Sequence, residues 1–188
     1  MDEREVEVVL AAVQRPERRR ETLEDRVTAA EDRAVIRDLI MAYGYLEDAR
    51  RWDDMLAMYT DDVERVLAGS LVETVRGKDA LRERLHAPVM VAKSGAPTAS
   101  QSEMDRLGLR HLMTTDIIRL SDDGLGAIAA VQYMMIATLE DADGFRRGSH
   151  EGCYVFEFRK DDGTWRFCRQ LIITNNAHNP MFRGGSGI

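Results

Sequence analysis

At 188 residues, 44% hydrophobic and 31% charged, the chain has the make-up of an ordinary soluble globular protein, long enough for one domain with a real core and short for two. Its net charge of −7 argues against a nucleic-acid partner and against an acidic or phosphorylated substrate, because the long-range field repels both. No apolar run approaches the ~20 residues that span a bilayer, so a membrane is not an expected partner either.

In chain order, Glu3–Val13 predicts a short helix, and the acids of "MDEREVEVV" are wrong for a secretory signal. "RPERRRE" breaks that helix and reads as a solvated connector. Thr22 is a helix N-cap, with Asp25 three residues on. A long helix follows to about Ala49. Ile36, Leu39, Ile40, Tyr43 and Leu46 form its apolar face, and Arg37, Met41, Gly44, Tyr45 and Asp48 lie opposite. The stretch "LIMAYGYL" carries no charge, so this half of the helix is expected to be covered all round. "RRWDDMLAMYTDDV" predicts a second helix with Trp52, Met55, Leu56 and Tyr59 on one face.

The period then changes. "VERVLAG" and "LVETVRG" predict two strands about Gly69-Ser70, and Lys78–Ala87 a short helix. Pro88 to Leu107 is rich in Ala, Gly, Ser, Thr and Pro and is expected to be a flap or an oligomer contact. Four long strands close the chain: "RHLMTTDIIRL", "GAIAAVQYMMIATL", "GSHEGCYVFEFRK" and "TWRFCRQLIITNN", separated by the turn formers "SDDG", "EDADG" and "KDDG". Helices first and antiparallel strands after define the α+β class, with helices on one face of a curled sheet.

Alternation places His150, Gly152, Tyr154, Phe156 and Phe158 on one strand face. It groups His111 with Met113, Thr115, Ile117 and Arg119, and Trp165 with Phe167, Arg169, Leu171 and Ile173. A greasy pocket with a few polar groups is the expected site, and histidine is the natural proton carrier in it. Histidines 86, 111, 150 and 178 show no zinc-ligand spacing, and no glycine pattern suggests a nucleotide, so no cofactor is expected. Cys153 and Cys168 read as reduced thiols of a cytoplasmic protein.

The stretches "YGYLEDARRWDDMLAMYTDDV", "RGKDALRERL", "LRHLMTTDIIRL" and "YVFEFRKDDGTWRF" together resemble the SnoaL-like branch of the nuclear transport factor two superfamily, over roughly Glu31 to Asn176. The resemblance implies a cone-shaped α+β barrel (domain 22–176) with an internal pocket, flanked by an N-terminal extension (1–21) and a C-terminal tail (177–188). Dehydratase members carry an aspartate four residues before a tryptophan, here Asp48 and Trp52. Their catalytic histidine opens the strand after the long loop, here His111, and a catalytic tyrosine precedes the aspartate by five residues, here Tyr43.

An offset of five residues turns ~140° on an ideal helix, and Tyr45, three residues from Asp48, is the alternative to Tyr43. A second histidine that such enzymes place in the following strand has no counterpart, and His150 is the substitute from the neighbouring strand. A late arginine is replaced by Thr174, leaving Arg146 or Arg169 to serve. Trp52, Met113, Tyr133 and Tyr154 are further expected to meet the substrate, with Tyr45, His150 and Arg169 as polar contacts.

The implied activity is a cofactor-free dehydratase (lyase) or isomerase acting by His/Asp/Tyr acid–base chemistry on a cyclic, largely apolar small-molecule substrate, in a homodimer or homotrimer. The alternatives are a non-catalytic small subunit of an aromatic-ring dioxygenase, with "TNNAHNPMFRGG" as an assembly arm, and a small-molecule binder without turnover.

Overall fold

A computed structural model of the chain describes residues 3–15, 17, 20–68, 73–87, 107–141 and 144–174. The Pro88–Leu107 loop, apart from its last residue, and the C-terminal arm beyond Thr174 lie outside the described residues.

Among the described residues, four helices and six strands follow one another: α1 (Glu3–Val13), α2 (Leu23–Asp48), α3 (Trp52–Leu56), β1 (Tyr59–Ala68), β2 (Glu73–Arg76), α4 (Lys78–His86), β3 (Leu107–Leu120), β4 (Gly126–Asp141), β5 (Gly144–Asp161) and β6 (Thr164–Thr174). The strands form one mixed, mostly antiparallel sheet in the order β2-β1-β6-β5-β4-β3, with β1 and β6 parallel. The class is α+β, and α2 packs along the inner face of the sheet. No helix among the described residues is long and apolar enough to cross a membrane.

Local chemistry sets the element ends. Thr22 caps α2, its Oγ1 accepting from the Asp25 N–H at 3.0 Å. The β5–β6 hairpin turns on Asp162 (φ +50°) and Gly163 (φ +75°), a two-residue loop whose two positive φ angles suit Asp-Gly. Tyr43, Tyr59, Ile36, Ile40, Phe156 and Phe167 are fully buried between α2 and the sheet. On the opposite sheet face, Ala12 of α1 packs against Ala130, Cys153 and Val155.

The predicted second helix is much shorter than expected. It stops at Leu56, and β1 begins at Tyr59, because β6 captures the chain there: the Phe167 N–H donates to the Met58 carbonyl at 2.9 Å, and Tyr59 pairs with Phe167. The helical spacing of Trp52, Met55, Leu56 and Tyr59 reflected burial rather than one continuous helix, and strand pairing overrode it.

Two β-bulges reverse the expected alternation. In β3 the register steps between Met113 and Asp116. Thr114 and Thr115 oppose Gln132 alone and bond to its carbonyl (3.2 Å) and its Oε1 (2.9 Å). His111 and Met113 therefore face inward, but beyond the bulge it is Ile118 and Leu120 that are buried, not Ile117 and Arg119. In β6 Cys168 is the extra residue, since Glu157 pairs with Arg169 and Phe158 with Phe167. Phe167 and Gln170 consequently point inward and Arg169 outward.

A buried polar anchor in the first half of α2 helps fix it to the sheet. Asp32, 8% exposed, accepts from Lys160 Nζ and Trp165 Nε1, both at 2.8 Å. Removing the carboxylate strands a buried indole N–H and a half-buried ammonium. Asp32→Ala is expected to lower unfolding free energy by about 1–3 kcal/mol in urea titration, and a change below about 0.5 kcal/mol would show that the anchor is idle.

Candidate active site

Asp48 closes the last turn of α2, where the helix dipole disfavours a negative charge and no basic residue compensates. Its position is explained by what it accepts. The His111 backbone N–H points at both carboxylate oxygens, at 2.9 and 3.0 Å. His111 Nδ1 lies 2.7 Å from Oδ1. The two side chains are 4% and 8% exposed. Among the described residues β3 is an edge strand with only β4 beside it, so alternate backbone N–H groups face the sheet edge, and the end of α2 covers that of His111.

A carboxylate can only accept, so the proton of a neutral ring sits on Nδ1 and Nε2 carries the free lone pair. No described residue hydrogen-bonds Nε2.

Gly44 allows the approach. A Cβ there would stand 3.3 Å from Met113 Cε and 3.5 Å from His111 Cβ. Asp48 follows one turn on and lies above the same part of β3.

Tyr43 and Glu47, also one turn apart, point deeper into the cone. Tyr43 packs edge-on against His111, Tyr154, Phe156 and Phe167, with ring centroids 5.6–6.4 Å apart. Tyr133 and Tyr154 stack at 4.0 Å, and both lie within 6.5 Å of the imidazole. The 140° between Tyr43 and Asp48 is accommodated because they meet different strands, Tyr43 the rings of β5 and β6 and Asp48 the His111 end of β3.

The interior is not wholly apolar. Gln170 is fully buried and its Oε1 accepts from Tyr59 Oη at 3.0 Å. Four buried polar atoms in this region have no hydrogen-bond partner: Tyr43 Oη, Glu47 Oε2, Arg65 Nε and Gln170 Nε2. Arg65 pairs with Gln170 across β1 and β6. Burial opposes its charge, but Tyr43, Glu47, Tyr59 and Tyr154 around it more than offset this and raise its pKa.

Burial, reinforced by Glu47 and partly countered by Arg65, pushes the Tyr43 hydroxyl up to about 12, and burial pushes Tyr59 and Tyr154 well above the usual value of 10. All three therefore remain protonated donors at neutral pH. Below pH 10 both folded and unfolded chains hold these protons. Above it the unfolded chain gives them up first, so stability is present in full below pH 10 and is lost as pH climbs towards 12 and beyond. The expected loss is about 1.4 kcal/mol per pH unit for each such tyrosine. Urea titrations at stepped alkaline pH should show it, with the tyrosinate absorbance of these rings appearing only on unfolding.

Not every expected contact is found here. Tyr45 is 76% exposed on the far side of α2, which also shows that this half of the helix is not covered all round. The inward stripe runs through Ile36, Ile40, Tyr43, Gly44 and Glu47, and Tyr45 turns well away from it. Arg169 faces outward, bound to Glu64 (2.9 Å) and Glu157 (3.0 Å), because of the Cys168 bulge. Trp52 and Met113 are half-buried against the core. The side chains of Arg146 and His150 lie outside the described residues. Glu47, Arg65 and Gln170, in turn, were not expected at the site.

The fold is the α+β cone of the nuclear transport factor two superfamily. Within that class, residues 28–170 match the SnoaL-like domain family, and the chain belongs to it.

Three solved structures illustrate the likeness. A candidate scytalone dehydratase from Novosphingobium aromaticivorans superposes with a TM-score of 0.63 at 17% identity, over 86% of this chain and 95% of that one. A hexachlorocyclohexane dehydrochlorinase from Novosphingobium barchaimii gives 0.62 at 16%, over 87% and 98%. The beta subunit of a candidate aromatic-ring-hydroxylating dioxygenase from N. aromaticivorans gives 0.58 at 21%, over 80% and 93%. At such identities the likeness is one of fold. No curated protein matches the chain.

Proposed function

We propose that the protein is a cofactor-independent lyase or isomerase that removes a proton from carbon beside a carbonyl of a cyclic, largely apolar substrate. The observation that carries this is the buried Asp48–His111 pair, with Nδ1 held at 2.7 Å and the imidazole within 6.5 Å of three tyrosine rings. In the proposed reaction, Nε2 takes the proton and the C–H electron pair passes into an enolate. Asp48 fixes the tautomer and stabilises the imidazolium, as carboxylates do in other His–Asp pairs. The imidazolium then returns its proton, in a lyase to a departing β-hydroxyl and in an isomerase to a more distant carbon. Tyr43, protonated at every physiological pH, donates a hydrogen bond to the oxygen that gains charge. The aromatic lining of Tyr133, Tyr154 and Phe156 suits a flat ring system.

The dehydratase and dehydrochlorinase among the structural neighbours perform eliminations by name, which supports the lyase form. The test is a bicyclic β-hydroxy ketone, 3-hydroxy-1-tetralone, whose loss of water gives 1-naphthol and a new absorbance. The expected result is enzyme-dependent formation of 1-naphthol, or, for an isomerase, exchange of its α-protons in deuterated water. A protein that promotes neither is not an acid–base catalyst of this class, and a dioxygenase small subunit would leave the probe unchanged.

A further inference from the structure

Arg65 and Gln170 have no part in the proton transfer just described, yet Gln170 is fully buried and Arg65, half-buried as a residue, buries its Nε beside it. They are paired residues of neighbouring parallel strands and so project to the same side. Gln170 is fully buried and spends only its Oε1, on Tyr59, at 3.0 Å. Its Nε2 donates to nothing, and neither does the buried Nε of Arg65. The Tyr43 hydroxyl stands close enough to Gln170 and Tyr154 for each to lower its pKa by hydrogen bonding, but it makes no hydrogen bond of full geometry. Native structures leave very few buried polar atoms unpaired. A guanidinium carries five N–H donors and no acceptor, so what it waits for is an oxygen.

We propose that Arg65, Gln170 and Tyr43 form the seat of the substrate's keto oxygen, and hold it as it becomes an enolate. This deepens the acid–base reading above and rests on it. The balance is simple: Nε2 of His111 takes the α-proton, the C–H pair becomes the C=C bond, and the carbonyl π pair moves onto the oxygen at the seat. Donors aimed at developing charge in a dry site act where catalysis gains most. Glu47 selects the class of oxygen. Its carboxylate lies one turn from Tyr43 and near Arg65 without pairing to it. The cluster is therefore close to neutral when empty, which suits an uncharged ketone and disfavours a substrate carboxylate.

The test uses three probes that need no turnover: 2-naphthol as the enolate mimic, naphthalene without oxygen, and 2-naphthoate. By calorimetry, 2-naphthol is expected to bind at least about tenfold more tightly than naphthalene, and the bound naphthol to ionise at lower pH than the free one, read by its red-shifted absorbance. Arg65→Met should bring the preference to within about twofold, and Gln170→Leu should cut it severalfold. His111→Ala should keep it, so failure of the seat and failure of the proton transfer are told apart.

Equal binding of naphthol and naphthalene would overturn the proposal, as would a preference that survives Arg65→Met. Tighter binding of 2-naphthoate than of 2-naphthol would replace the keto seat with a carboxylate site. If Arg65→Met does not fold, the wild-type titration decides: a bound naphthol that ionises no more easily than the free one overturns the seat.

Discussion

His111→Ala is expected to lower turnover of the elimination probe by at least about a hundredfold, and Asp48→Asn by a similar factor, because a positioned acid–base group contributes roughly 10²–10⁴ in rate. The two variants act differently. Alanine removes the base and leaves the Asp48 carboxylate with the backbone N–H of residue 111.

Asparagine keeps the shape but not the polarity. Asp48 accepts from two donors of one residue, the backbone N–H through both oxygens and Nδ1–H through Oδ1. An amide offers one oxygen and one NH₂. With its oxygen towards Nδ1, the NH₂ confronts the backbone N–H. Flipped, the NH₂ donates to Nδ1, the ring proton moves to Nε2, and the base is lost. Both arrangements cost a hydrogen bond and one also reverses the tautomer. The check is steady-state kinetics beside circular dichroism and thermal unfolding. A variant that folds like the wild type and retains more than about a tenth of its turnover would exclude the mechanism.

The order of elements was readable in the chain because the signals were local. Thr22 with Asp25 marks a helix start, Asp162-Gly163 marks a hairpin, and the long alternating runs mark strands. What was not readable was which face survives a bulge. Thr114-Thr115 and Cys168 have no distinctive chemistry, and a bulge appears only when a partner strand sets the register. Plain alternation therefore puts Arg169 inside in place of Gln170. Arg65 was open to detection, since it falls between Val63 and Leu67 on one face of β1, an arginine in an apolar row. The parallel pairing with β6 that gives it a buried neighbour is a long-range contact, with no trace in "VERVLAG". The Asp48–His111 contact joins residues 63 apart in sequence. It follows from the family resemblance and not from any spacing, and the three-residue offset from Asp48 makes Tyr45 a rival to Tyr43. On the helix, however, the inward direction is set by Ile36, Ile40 and Tyr43, and relative to them Tyr45 points out.

Gly44 provides the other large expected effect, and it separates the role of helix position from that of the catalytic groups. An alanine Cβ would meet the flexible end of Met113 at 3.3 Å and His111 Cβ at 3.5 Å, and Met113 can yield. Gly44→Ala is therefore expected to keep activity and to gain up to about 1 kcal/mol from helix propensity. A leucine has no such room. Its branched end must enter the space between α2 and β3, and overpacking of this kind costs about 1–3 kcal/mol. The helix is anchored further back by Asp32 on Lys160 and Trp165 and by Arg37 on Asp116, so it relieves the strain by lifting its C-terminal end, which carries Asp48. A displacement near 1 Å would break the 2.7 Å contact to Nδ1 and is expected to lower turnover by about a hundredfold, although neither His111 nor Asp48 has changed. The imidazole N–H resonance held by Asp48 should vanish from the proton spectrum of Gly44→Leu and persist in Gly44→Ala. A folded Gly44→Leu protein with full turnover would mean that the close approach of α2 to β3 is not what couples the pair.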